Sequence, residues 1–189
     1  LHKQKETQMI HPTLAALLEP VEAIPYFFAD DGVIPNNPVL PLLVYPGVLK
    51  LAGDDPARIP EQIFAANGWV GSWRNGIFPF PHYHSRVHEV LAICKGKAQV
   101  QLGGAQGVTL TVQAGDVLLI PAGVGHENLG ASADLLVVGA YPPGEQVDLC
   151  HGKAEERPQV LTNIVQAPLP ISDPVWGDSG PVFEHWRGK

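Results

Sequence analysis

His82-Tyr83-His84 sets two imidazoles two residues apart. On a β-strand, residues at that spacing point to the same face, so both rings can reach one metal ion. Glu89 comes five residues after His84, the wrong parity for that face on a single straight strand. A turn through Ser85-Arg86-Val87 resolves this by ending one strand and starting the next, which brings Glu89 opposite the histidines. His126 lies 37 residues beyond Glu89, after a further strand and a Pro121-Ala122-Gly123 turn. Imidazole and carboxylate together suit a divalent transition ion such as zinc, iron, nickel, copper or manganese. The H-x-H pair alone is a weak signal, because two histidines at that spacing often arise by chance.

The neighbours of these residues carry further expectations. His88 immediately precedes Glu89 and so points to the opposite strand face, as a structural or supporting histidine rather than a ligand. Phe78 and Phe80 share parity with His82 and His84, so they either line a substrate pocket beside the ion or fill the core. Tyr83 faces away from the ligands. Arg74 could clasp a substrate carboxylate, but a surface salt bridge suits it better, and Arg86 is open to the same two readings. His2, His11, His151 and His185 stand outside any motif and read as surface residues.

These side chains need a scaffold of short strands, and the chain supplies one. Of 189 residues, 20 are Gly and 19 are Pro, both above the usual share and spread along the chain. That composition fits many short strands joined by turns, an all-β architecture. Ala98–Leu102 and Val108–Val112 alternate cleanly about Gly103-Gly104 and Gly107, which predicts a hairpin with one buried face. Val117–Ile120 and Leu135–Val138 are continuous apolar runs, as expected of strands in a sandwich interior.

Before residue 69, Pro12 opens a short helical turn carrying Leu14, Leu17 and Leu18 toward a core. Short apolar stretches and turns then fill residues 25–50. A second short helix is predicted between Asp55 and Asn67, capped by Asp55, with Pro56 at its first position and Gly68 stopping it. Pro60 weakens that first turn. Beyond Tyr141-Pro142-Pro143-Gly144 the chain reads as an irregular, proline-punctuated tail whose Phe183 and Trp186 pack on the barrel. The length fits one domain over residues 1–189, with a barrel core at 69–141, an N-terminal extension at 1–68 and a C-terminal extension at 142–189.

The wider spacing of the ligand candidates is more specific than H-x-H. Gly76, five residues, His82-x-His84, four residues, Glu89, six residues and Gly96 form one block; Gly115, five residues, Pro121-x-Gly123, two residues and His126 form another. Together these blocks resemble the two motifs of the cupin superfamily. Phe28-Ala29-Asp30-Asp31-Gly32, Ile34-Pro35-Asn36-Asn37-Pro38 and Arg74-Asn75-Gly76 are similar to stretches of the bacterial YjlB-type cupins. The resemblance implies a jelly-roll β-barrel, and it places His82, His84, Glu89 and His126 on the four metal-binding positions of the family. The second motif usually has an asparagine four residues after its histidine; Gly130 takes that place here, and Asn128 sits two residues after His126.

A net charge of −7 and the lack of a Lys/Arg stripe or helix-turn-helix segment argue against nucleic acid as partner. The longest apolar run, Val39–Leu49, is broken by Pro41 and Pro46, so no membrane span is expected. No secretory signal is read at the N-terminus; Met9 is a candidate natural start, which would make residues 1–8 non-native. Cys94 and Cys150 match no C-x-x-C pattern and read as a reduced core thiol and a peripheral one, consistent with a cytoplasmic protein. A homodimer is expected, with strands from residues 25–50 bridging two barrels.

Function then divides into three readings. One is a metal-dependent enzyme acting on a small organic substrate, a dioxygenase using iron or manganese, with Glu89 able to leave the ion and act as base. A metal-dependent isomerase needs the same Lewis acid without oxygen. A non-catalytic small-ligand sensor or carrier is the third, because this fold hosts many functions.

Overall fold

The computed structural model describes residues 12–187. The expectations for residues 1–8, His2, Met9 and His11 lie outside the described residues. After a one-turn helix α1 (Pro12–Ala15) come strands β1 (Ile24–Tyr26) and β2 (Leu42–Tyr45), helix α2 (Arg58–Ala66) and strand β3 (Val70–Asn75). Then follow β4 (Glu89–Lys95), β5 (Lys97–Leu102), β6 (Val108–Gln113), β7 (Val117–Ile120), β8 (His126–Ala131) and β9 (Leu136–Tyr141). Two further helices, α3 (Gln159–Gln166) and α4 (Pro181–His185), follow the last strand.

The strands form two antiparallel sheets with orders β1-β2-β7-β4-β9-β3 and β6-β5-β8. This is the expected all-β jelly roll. The predicted hairpin is present, with Ala98 opposite Val112 and Val100 opposite Leu110. Its alternation is explained by one buried face: Ala98, Val100 and Leu102 pack against Leu91, Ile93, Leu118, Ile120 and Val137 of the larger sheet.

The central strands of the larger sheet, β2, β7, β4 and β9, are buried on both faces, which is why they read as continuous apolar runs. Leu118 and Ile120 point into the sandwich, while Val117 and Leu119 point outward into a second cluster. There Leu43, Tyr45, Val90, Ala92, Val138 and Ala140 meet Ile63 and Phe64 of α2 and Val175, Val182 and Trp186 of the tail. Burying the same sheet twice is what gives so short a chain two apolar layers.

Four expectations need correction. β1 and β2 belong to the larger sheet, β2 pairing with β7 of its own barrel, so the sheet begins well before residue 69 and β2 is not free to bridge to another copy. Asp55 does not cap α2 with its side chain; the carboxylate is drawn to Arg74 instead, at 2.9 and 3.0 Å. The tail is not wholly irregular. Pro158 and Pro168 flank α3 rather than break it, and Pro181 occupies the first turn of α4, where its missing N–H costs nothing. Cys150 is buried like Cys94, and both thiols are free.

The tail packs as anticipated. Trp186 is fully buried and its indole N–H donates to the Pro41 carbonyl at 2.9 Å. Asp173, also fully buried, accepts the Tyr45 hydroxyl at 2.8 Å and the backbone N–H groups of Val175, Trp176 and Val182, so the carboxylate is satisfied where it is dry. No helix among the described residues is long and apolar enough to cross a membrane.

Candidate metal centre

The four ligand candidates converge at one end of the sandwich. His82 and His84 lie between β3 and β4, Glu89 opens β4 and His126 opens β8. His82 and His126 form an isolated antiparallel bridge, with backbone bonds of 3.2 and 2.9 Å in the two directions. The turn before His126 is fixed by its neighbours: Gly123 N–H donates to the His84 carbonyl at 2.8 Å, and the Ala122 N–H to His88 Nδ1 at 3.0 Å. Gly123 has φ of 92°, and a Cβ there would fall 2.6 Å from the Asn36 carbonyl oxygen, so only glycine fits.

One imidazole nitrogen from each of His82, His84 and His126 lies within 4.8 Å of the other two, and all three residues are buried. Glu89 is buried beside them, its Oε2 3.2 Å from Nε2 of both His84 and His126. Each Nδ1 faces a backbone carbonyl: His82 that of Phe80 at 3.1 Å, His126 that of Val124 at 3.3 Å, and His84 that of Asp148. A carbonyl can only accept, so each Nδ1 carries the hydrogen and each Nε2 lone pair is left for the shared centre. Two lone pairs and a carboxylate oxygen around one point repel unless a cation lies among them. A proton on His84 is one answer, and a divalent ion held by these residues is the other; the donor set fits such an ion.

The electrostatics agree. Burial pushes the pKa of His82 down to about 3, helped by His126 next to it. Burial also disfavours charge on His84, but Glu89 and the Asp148 carbonyl outweigh it and hold His84 above its ordinary value. Burial likewise opposes charge on Glu89, yet the flanking imidazoles hold its carboxyl well below the usual carboxylate range.

Beside the histidines opens a cavity of about 280 Å³, lined by Trp73, Ile77, Phe78, Leu91 and Tyr141 together with Arg74 and Asn75. Phe78 therefore lines the pocket. Phe80 is not one of the lining residues; it stacks on Phe78 with ring centroids 4.9 Å apart and meets His82 edge-on at 5.7 Å. Both phenyl rings thus sit on the His82 side, as their shared parity predicts.

His88 points away from the site, as expected. It packs on Trp186, and burial pushes its pKa down to about 4, which keeps Nδ1 free to accept from Ala122. Tyr83 also faces away, donating to Glu156 at 2.9 Å. Arg74 is in salt bridges with both Asp55 and Glu61. His151 is exposed near Phe80, and His185 is half-buried.

Two site residues had no signal in the motifs. Tyr141 ends β9, one step past the Val90–Ala140 pair and so beside Glu89; its hydroxyl accepts the Trp73 indole N–H at 3.0 Å, and burial together with the neighbouring Glu89 charge pushes its pKa up. Asp148 lies in the loop after β9 and holds His84 through a backbone atom.

The cupin domain family model matches residues 73–139, a span that contains His82, His84, Glu89 and His126. The Uncharacterized protein YjlB of Bacillus subtilis (strain 168) is 45% identical over 161 residues, covering 85% of this chain and 94% of that one. Distant likenesses among solved structures include an acireductone dioxygenase from Bacillus anthracis with cadmium in its active centre. It is 16% identical, with a TM-score of 0.34, covering 48% of this chain and 61% of that one. A double-stranded β-helix protein from Klebsiella pneumoniae is 15% identical with a TM-score of 0.33, covering 81% of this chain and 100% of that one. Identity of nearly one residue in two, sustained along almost the whole of both chains, places the sequence beside YjlB, and the chain belongs to the YjlB-like cupins.

Proposed function

We propose that the protein is a metal-dependent enzyme, dioxygenase-like, that holds one divalent ion through His82, His84, Glu89 and His126 and acts on a small organic substrate in the adjoining cavity. The observation that carries this reading is the common orientation of the three imidazoles, each bonded through Nδ1 to a carbonyl with Nε2 left for the centre. A structural ion is usually sealed by four ligands, whereas this centre opens onto a cavity of about 280 Å³. Iron, manganese, nickel or zinc would supply Lewis acidity there, and iron or manganese also one-electron chemistry toward dioxygen.

The chain's own residues define the rest. Trp73, Ile77, Phe78 and Leu91 give an apolar wall suited to an aromatic or alkyl group. The cavity's arginine is already engaged by two carboxylates, which disfavours a substrate that brings its own carboxylate to it. Glu89 lies beside Tyr141 at the cavity wall, a carboxylate and a phenol able to take and return a proton. That pair favours isomerisation as the second reading, because such chemistry needs proton transfer and no oxidant.

Metal analysis of protein purified without chelator or affinity-column nickel tests the ion. An oxygen electrode, with iron-loaded protein and a panel of small phenolics and diketones, tests the reaction. Oxygen uptake coupled to turnover supports the dioxygenase, and turnover without uptake moves the assignment to isomerase. Tight binding with no turnover under any metal would make the protein a carrier or sensor. Glu89→Gln should retain part of the metal affinity and lose turnover. We further propose a cytoplasmic homodimer that binds neither nucleic acid nor membrane. The exposed edge strand β3 is a natural pairing surface, and light scattering at micromolar concentration reads the mass.

A further inference from the structure

The carbonyl partners of the three imidazoles are not equivalent. Those of His82 and His126 belong to residues two positions earlier in the same segment, so these two rings are set locally. The partner of His84 is Asp148, 64 residues away. The ring of His84 is therefore only as well placed as the loop that carries Asp148.

That loop is clipped to the H-x-H segment at several points. Asp148 Oδ1 accepts the backbone N–H of Ser85 at 2.9 Å and of Arg86 at 3.2 Å; its Oδ2 accepts the Ser85 hydroxyl at 2.5 Å and the Cys150 thiol at 3.3 Å. Two residues on, Cys150 exchanges a pair of backbone bonds with Tyr83, at 3.0 and 2.9 Å. Ser85 Oγ also accepts the Asn163 amide of α3 at 2.9 Å, and Asn163 Oδ1 in turn accepts from Gln159 at 2.9 Å. Four donors on one half-buried carboxylate are more than a surface loop needs, and they converge on the residue whose carbonyl meets His84.

We propose that Asp148 is a positioning residue of the centre: its carboxylate locks the 148–150 loop onto Ser85 and Arg86, and the locked carbonyl holds His84 with hydrogen on Nδ1 and the Nε2 lone pair toward the other ligands. This rests on the metal-binding reading above. Without the lock, the His84 ring is free to turn, or to place its hydrogen on Nε2 against Glu89, 3.2 Å away, and either change removes a donor from the ion.

The test uses full-length Asp148→Ala, Asp148→Asn and Ser85→Ala proteins with two readouts. The first is cobalt(II) affinity by competition with a chelating dye. The second is the set of histidine ring N–H signals in proton–nitrogen NMR of the metal-free protein, where a carbonyl-bound Nδ1–H is protected from exchange. Asp148→Ala is expected to lose roughly 10–100-fold in affinity and the His84 signal alone, with those of His82 and His126 unmoved. Asp148→Asn keeps an oxygen for the two backbone donors and should recover most of both. If Asp148→Ala does not fold, Ser85→Ala, which removes one donor to the carboxylate, should show a smaller loss with the same selectivity. Affinity within about two-fold of wild type in the folded variants, or simultaneous loss of all three ring signals, overturns the proposal. A wild-type protein that does not bind cobalt removes the metal reading, and the His84 signal then decides Asp148 alone: its survival in Asp148→Ala overturns the proposal.

Discussion

His82 and His126 face each other across a two-bond antiparallel bridge, which brings their ring centroids to 4.0 Å. The bridge joins the two motif blocks by backbone bonds, so the pair stays in place whichever side chains are present. Removing imidazoles should therefore empty the site without unfolding it. His82→Ala with His84→Ala is expected to drop metal content from about one ion per chain to background, with the circular dichroism spectrum unchanged. Full occupancy in that double variant would place the ligands elsewhere.

Metal uptake should release protons. His84 lies above its ordinary pKa in the metal-free protein, so near neutral pH it is protonated more often than a free histidine and pairs with Glu89. The ion must displace that proton, so affinity rises with pH while His84 is losing its charge and levels off above that range. Titration calorimetry in two buffers of different ionisation enthalpy reads the proton count. Identical heats in both buffers would show that no proton is released and that His84 is already neutral before the ion arrives.

Gly139 is the floor under Trp73. A Cβ at residue 139 would fall 2.1 Å from the indole, so Gly139→Ala must displace the ring and break its 3.0 Å bond to Tyr141. The overpacking should cost about 1–3 kcal/mol in urea unfolding. The variant's tryptophan emission should shift to the red, and any turnover should fall further than metal affinity does.

Trp186→Ala removes a fully buried tryptophan of the outer core and its bond to the Pro41 carbonyl. Chemical denaturation is expected to show a loss of about 3–5 kcal/mol. A loss below 1 kcal/mol would mean that the tail is dispensable for the barrel.

Much of the site was legible because strand geometry is periodic. His82 and His84 share a face, Glu89 is reached through a turn and starts β4, and His88 points the other way, each following from a period of two. Parity grouped Phe78 and Phe80 with His82, where their rings meet, but it did not tell which of the two reaches the cavity. Tyr141 was invisible for a different reason. It meets Glu89 through strand register, and nothing at residue 141 records which strand β9 will lie beside. Asp148 was harder still, because the atom that meets His84 is a backbone carbonyl, which every residue type has. The helices of the tail were missed because prolines that bound a helix read, in one dimension, like prolines that prevent one.

Asp148 follows every candidate ligand in the order of synthesis. A chain growing from the ribosome presents His82, His84, Glu89 and His126 before the loop that orients His84 has been made. Under the proposed role of Asp148, the emerging chain is a poor trap for whatever ion it meets first, and tight capture is deferred until the loop has docked. The metal selected would then reflect the free-ion composition around the folded protein, and a chain labelled during translation should acquire its ion only once the Asp148 loop has emerged and docked.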